Sequence, residues 1–227
     1  MDYEDIEKKR YEAFWKSMKG EFSEDTNNYS SKFPSPEAIG FLNFLKKKNI
    51  RGNVLDVGCG NGRNAVLFAK HKFDVYGIDV SKSAIELAKK NAKLNNVKAD
   101  FKVSSIFSLK KKNFFGIILD FGCLHHLRKS QWKKYKKSIL KALARNGYYC
   151  LYCFSRNTPH IPKFSPKSKN RNWYLRKNHY NHFFNEKEIR DFFKKGFIIE
   201  KNYESRKGNS QLLFQVFYMK KVDNVKD

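Results

Sequence analysis

Residues 53–69, NVLDVGCGNGRNAVLFA, constrain the fold more than any other stretch of this chain. Asn53 to Val57 reads as a short buried strand, and Asn64 to Ala69 opens an apolar helical pattern. Between them Gly58, Gly60 and Gly62 stand at alternate positions. Glycines at such a joint allow φ > 0 and let backbone N–H groups approach a ligand closely. A second strand-like run, Asp74 to Ile78, leads into Asp79, 19 residues after Gly60. An acid at that point is placed to hydrogen-bond a ribose diol. The order of strand, glycine turn, helix, strand and acid implies an α/β fold holding a nucleoside cofactor.

Two cofactor classes use such a signal. A dinucleotide site carries G-x-G-x-x-G, with the helix N-terminus facing a pyrophosphate. The spacing here is Asp56-x-Gly58-x-Gly60-x-Gly62, which lacks the last offset. Residues 53–154 instead resemble the class I S-adenosylmethionine-dependent methyltransferases, whose first motif is an acid followed by G-x-G-x-G. The resemblance implies a Rossmann-like fold: a mostly parallel seven-stranded sheet, helices on both faces and a C-terminal antiparallel hairpin. It also implies S-adenosylmethionine as cofactor and S-adenosylhomocysteine as product. In that family the first acid stands near the ligand's ammonium group and the second-strand acid binds both ribose hydroxyls; Asp56 and Asp79 match them. Cys59, Asn61 and Arg63, interleaved with the glycines, and Val80 after the second acid belong to the same expected site. Arg63 is a candidate partner for the methionyl carboxylate, or a surface arginine on the first helical turn. After a third strand, Asp100 to Val103, the resemblance gives the adenine contacts to Ser105 and Ile106. The acid usual there is missing.

The fourth strand and its exit, Phe114 to Gly122, put Asp120, Phe121 and Gly122 at a strand end where open α/β sheets bind ligands. Asp120 and Phe121 are therefore counted with the cofactor site. His125 is the candidate general base, because an imidazole titrates near neutrality; its alternative task, and His126's, is packing the loop. Relatives that methylate exocyclic amines of nucleobases or glutamine carry an Asn/Asp-Pro-Pro-Tyr/Phe run at this exit. The chain reads Asp120-Phe121-Gly122-Cys123, so an oxygen or sulfur nucleophile on a small molecule is expected instead. The later strands and closing hairpin look most like the tellurite-resistance and thiopurine-type small-molecule branch, over roughly residues 33–221.

Composition decides the remaining classes. The 227 residues suit one domain with a sizeable core, divided as an N-terminal helical lid (1–50), a cofactor-binding core (53–154), a basic substrate-side insertion (155–182) and a final helix and hairpin (183–221). The lid reading rests on Tyr11, Phe14, Trp15 and Met18, which fall on one side of a helix over 3–19. In the following helix Ile39, Leu42 and Leu45 are expected on the buried face, after Ser35 as N-cap. The acidic N-terminus has no apolar segment and no run spans a membrane, so a soluble cytoplasmic protein is expected. Cys150 and Cys153 lie i, i+3 along a strand and so point to opposite faces, which argues against a metal site.

A net charge of +25 is the most unusual bulk property. No acid occurs between Asp120 and Glu186, against fifteen Lys and Arg. Such asymmetry can reflect an anionic partner, RNA included, or only a lysine-rich composition. The insertion interleaves basic and aromatic residues, and Arg156, Trp173 and Arg176, with Tyr29 from an earlier loop, are its candidate substrate contacts. The expected partner is a small, anionic acceptor. An RNA substrate on segment 128–182, or a non-catalytic cofactor-binding subunit, is the alternative. The sequence is silent on oligomeric state.

Overall fold

The computed structural model describes residues 3–25, 31–159, 173–176, 179–206, 208 and 211–222. Helix α1 (Tyr3–Ser17) and helix α2 (Pro36–Lys47) precede an alternation of strands and helices: β1 (Val54–Val57), α3 (Arg63–Lys70), β2 (Val75–Asp79), α4 (Lys82–Leu94), β3 (Asp100–Val103) and β4 (Phe115–Phe121). A 3-10 turn (Leu124–His126) leads to α5 (Lys129–Ala142) and β5 (Leu143–Phe154). The chain closes with β6 (Trp173–Arg176), β7 (His179–His182), α6 (Glu186–Phe193), β8 (Phe197–Arg206) and β9 (Leu213–Lys221).

Seven strands form one sheet in the order β3-β2-β1-β4-β5-β9-β8. Strands β1 to β5 pair in parallel, and β9 runs antiparallel between β5 and β8. The expected architecture is therefore present, with β6 and β7 added as a separate antiparallel pair. The strand order reverses between β1 and β4, and ligands of open α/β sheets bind at the carboxyl ends of strands beside such a reversal.

Alternation along the central strands feeds two cores. Ile117, Leu119, Cys150 and Tyr152 face α2, α3 and α4, whereas Ile118, Tyr149, Leu151 and Cys153 face α5 and α6. Cys150 and Cys153 thus lie on opposite faces, as the strand period requires, and all four cysteines are free thiols. Among the described residues no group of histidine, cysteine or acidic side chains could hold a metal. No described helix is long and apolar enough to cross a membrane.

Two local expectations are corrected. The buried face of α2 is Ala38, Phe41, Leu42 and Leu45, a helical stripe on which Ile39 does not fall; Ile39 is 41% exposed. Arg145-Asn146-Gly147, which in sequence reads as the turn into the fifth strand, is not a turn. Leu143 already pairs with Phe115, and the register then jumps to Ile117 opposite Tyr148, so Arg145, Asn146 and Gly147 are extruded as a bulge. Asn146 takes φ +57°, which asparagine tolerates better than most residues.

Candidate active site

A cavity of about 740 Å³ opens at the carboxyl ends of β1, β2, β3 and β4. Its floor is Val57, Gly58, Ile78, Asp79 and Val80; one wall is Val103 to Ser108, and another is Phe121 to Cys123 with Phe154. Helix α1 roofs it with Glu7, Arg10, Tyr11, Phe14 and Trp15. The volume lies within the usual range for small-ligand sites, about 300–1,000 Å³.

The glycine turn is built for close approach. Gly58, Gly60 and Gly62 all have φ between +53° and +73°. A methyl on Gly60 would stand 2.5 Å from the Trp15 ring, and one on Gly62 would stand 2.9 Å from the Ala88 side chain. The first lets α1 lie directly on the turn; the second lets α3 approach α4.

Asp79, 8% exposed, ends β2 on the cavity floor. Its Oδ2 accepts the Gly60 N–H at 3.0 Å and its Oδ1 the Ser81 N–H at 2.9 Å. Two carboxylate oxygens offer about four acceptor positions, so the bonds that hold the turn leave capacity for a ligand diol. Burial raises its pKa to about 6, against the pull of those N–H groups.

Helix α1 is held over this floor by a carboxylate at the start of α4. Ser81 caps α4, accepting the Ala84 N–H at 3.1 Å. Glu12 accepts Ser81 Oγ at 2.8 Å, the Ser83 N–H at 3.2 Å and Ser83 Oγ at 2.5 Å. These bonds hold its pKa below the ordinary carboxylate value, the Ser83 hydroxyl contributing most. An anion belongs at this helix end, where unpaired N–H groups and the dipole favour it.

Of the cofactor-site residues expected from sequence, Gly58, Asp79, Val80, Ser105, Ile106 and Phe121 line the cavity. The others lie behind it. Asp56 is buried beneath the turn; burial first, then Asp79 and Asp120, raise its pKa to about 7, against the pull of the Ala65 backbone. Cys59 packs beside Gly77. Asn61 donates to the Ser31 carbonyl at 2.8 Å and accepts the Arg63 N–H at 3.3 Å. Arg63 begins α3, and its charge acts on Asp56 from there. Gly60 and Gly62 serve the packing just described. Asp120 is wholly buried and turned into the protein, accepting the N–H groups of Gly122, Cys123 and Leu124 and the hydroxyls of Tyr135 and Tyr149.

His125 reaches the cavity, but both its ring nitrogens are engaged. Nδ1 accepts the Phe154 N–H at 3.3 Å, so the proton of the neutral ring sits on Nε2, 3.0 Å from His126 Nε2. Its ring stacks on Phe154 with centroids 3.9 Å apart. Burial holds its pKa well below the ordinary histidine value. To act as a base, His125 must first break this chain of ring contacts. Of the substrate-side candidates, Tyr29 lies outside the described residues. Trp173 and Arg176 belong to β6. Arg156 follows β5, is not on the cavity wall, and donates its backbone N–H to the Phe184 carbonyl.

Sequence reasoning missed Arg10, Glu12 and Asn181. The aromatic stripe of α1 pointed to the roof, but nothing local marks which polar residue meets α4 or the far cavity wall.

Comparison with known proteins agrees with this geometry. Residues 54–147 match the model of a methyltransferase domain family. Ubiquinone biosynthesis O-methyltransferase of Pelagibacter ubique is 39% identical over 100 residues, covering 44% of this chain and 40% of that protein. The chain therefore spans less than half the length of that relative. Among solved structures, an S-adenosylmethionine-dependent methyltransferase of Methanosarcina mazei has TM-score 0.68 at 26% identity, covering 84% of this chain and 99% of the other. The 1,6-didemethyltoxoflavin-N1-methyltransferase of Burkholderia thailandensis, solved with S-adenosylhomocysteine, has TM-score 0.69 at 20% identity, covering 83% and 78%. These likenesses do not single out the tellurite-resistance or thiopurine branch. The sheet order, the glycine turn and the match over residues 54–147 together show a methyltransferase-family domain on a Rossmann-like fold, similar to S-adenosylmethionine-dependent methyltransferases.

Proposed function

We propose that the chain transfers a methyl group from S-adenosylmethionine to an oxygen or sulfur atom of a small molecule bound in the α1-roofed cavity. The roof carries this reading. Tyr11, Phe14 and Trp15 close the side facing the Gly58–Asp79 floor, leaving a volume suited to a cofactor and a small acceptor. One relative is named an O-methyltransferase of ubiquinone biosynthesis, and one structural neighbour, an N1-methyltransferase, was solved with the small molecule 1,6-didemethyltoxoflavin bound.

When bound, the cofactor supplies a methyl group already activated as a sulfonium, so a strong base is needed only for an acceptor protonated at neutral pH. The chain's own work is holding and exclusion. Asp79 would accept the ribose hydroxyls, the N–H groups of the glycine turn would face the methionyl part, and Ser105 with Ile106 would border the base. Phe121, Phe154 and the α1 aromatics exclude water from the far half of the cavity. The absence of proline in Asp120-Phe121-Gly122-Cys123 supports oxygen or sulfur over an exocyclic amine.

Calorimetric titration tests this. S-adenosylhomocysteine should bind with micromolar affinity, on the order of −8 kcal/mol, and NADH should not. Preference for NADH would remove the reading. The acid-free run between Asp120 and Glu186 favours a second reading, an RNA acceptor; steeply salt-dependent retention on RNA would bring it forward.

The site acids add a linked prediction. Asp79 must be ionised to accept two hydroxyl hydrogen bonds, and its folded-state pKa is about 6, raised above the ordinary value by burial. Ligand binding favours the ionised form, so affinity should rise as pH rises through about 6 and fall below it. Near that pH, binding should release protons. Calorimetry in two buffers of different ionisation enthalpy measures this directly; proton uptake would contradict the assignment.

A further inference from the structure

The end of the cavity away from Asp79 has a polar character that follows from the tautomers of its two histidines. The Phe154 N–H occupies His125 Nδ1, so His125 donates from Nε2 to His126 Nε2. His126, accepting there, keeps its own proton on Nδ1 as a neutral ring. The groups that favour a proton on this ring are the Tyr180 backbone and the Asn181 side chain. Asn181 lines the cavity, and a carboxamide can turn its NH₂ toward a ligand oxygen there.

Arg10 lies near enough to the same histidine to act on it electrostatically. Its positive charge lowers the His126 pKa, which burial, the larger cause, brings to about 3. Arg10 Nη1 is buried on the cavity side and has no hydrogen-bond partner among the described residues. Its nearest acid is Glu7, at 3.6 Å, an ion-pair separation beyond good hydrogen-bond length. Asp5, on the same helix, also borders the cavity. A buried guanidinium N–H without an acceptor is unfavourable, and a ligand oxygen would relieve it.

We propose that Arg10 and Asn181 select the acceptor: a planar molecule bearing an anionic oxygen, carboxylate or phenolate, that receives hydrogen bonds from Arg10 Nη1 and Asn181 Nδ2. The stacked rings of His125 and Phe154 beside them, with Phe121, suit a flat apolar body attached to that oxygen. This inference rests on the methyltransferase reading above and narrows its substrate class.

The test uses the full chain saturated with S-adenosylhomocysteine, which first establishes the cofactor site. Salicylate and its neutral analogue 2-methylphenol are then titrated by calorimetry. Salicylate should bind at least about tenfold more tightly, the strength expected of a hydrogen bond to a charged group. Arg10→Met should abolish that preference. Asn181→Asp, which replaces the NH₂ donor by an acceptor oxygen, should weaken salicylate by about tenfold or more. Both variants should keep cofactor-product affinity within about twofold, because neither residue borders Asp79. Equal affinity for the two probes, no salicylate binding, or a preference that survives both substitutions would overturn the proposal. Failure of S-adenosylhomocysteine to bind the unmodified chain would instead overturn the methyltransferase reading.

Discussion

Asp79→Ala is expected to weaken S-adenosylhomocysteine binding by about a hundredfold or more. Two hydrogen bonds from a diol to a buried carboxylate, each contributing about 1.5–3 kcal/mol, account for that loss. The side chain has a second task, since it also accepts the N–H groups of Gly60 and Ser81. Removing it therefore loosens the glycine turn from the α4 cap as well. Asp79→Asn narrows the change. It keeps the shape and one acceptor oxygen, so its melting temperature should fall less than that of the alanine variant, because its NH₂ faces only one of the Gly60 and Ser81 N–H groups, while affinity falls by about tenfold. If Asp79→Ala left affinity unchanged, the ribose assignment would fail whatever its effect on stability.

What was legible in the sequence was local. Strand β3 occupies Asp100–Val103 as read, and Ser35 caps the helix it was expected to cap. Asp79 was found because a strand end and a fixed distance from a glycine turn determine where a carboxylate stands. Asp56 shows where such spacing stops. Its strand end was read correctly, but β1 has a side chain on each face, and this one turns beneath the loop toward Ala65. Asp120 repeats the lesson at the end of β4, where the buried hydroxyls of Tyr135 and Tyr149 draw the carboxylate inward; both tyrosines lie in later elements. Arg10 and Asn181 line one cavity from distant parts of the chain, and no period or motif connects them. Residues 145–147 looked like a turn because Asn-Gly commonly forms one; pairing with β4 on both sides makes them a bulge instead.

Asp120→Ala should be the most damaging single change to the fold, by about 3–5 kcal/mol. The carboxylate is fully buried and receives five hydrogen bonds: from Gly122 N at 3.1 Å, Cys123 N at 2.6 Å, Leu124 N at 3.1 Å, Tyr135 Oη at 2.5 Å and Tyr149 Oη at 3.2 Å. Alanine would leave two buried phenols and three loop N–H groups without this acceptor, and each unsatisfied group costs about 1–3 kcal/mol, reduced where the loop can relax toward water. Burial raises the Asp120 pKa, while the Tyr135, Cys123, Leu124 and Tyr149 donors act against that shift; the site therefore supplies its own counter-polarity to an isolated charge. Asp120→Asn probes this balance. Its oxygen can still receive the Gly122 and Cys123 N–H groups, and the tyrosine hydroxyls can rotate to accept from its NH₂, while the Leu124 N–H loses its acceptor, so a loss of about 1–2 kcal/mol is expected. Urea denaturation of the three proteins measures both differences. A loss below about 1 kcal/mol for the alanine variant would show that the Phe121–Leu124 segment is held by packing alone. The predicted order, alanine far below asparagine, would instead establish Asp120 as the anchor that keeps Phe121 and Gly122 on the cavity wall and His125 stacked on Phe154.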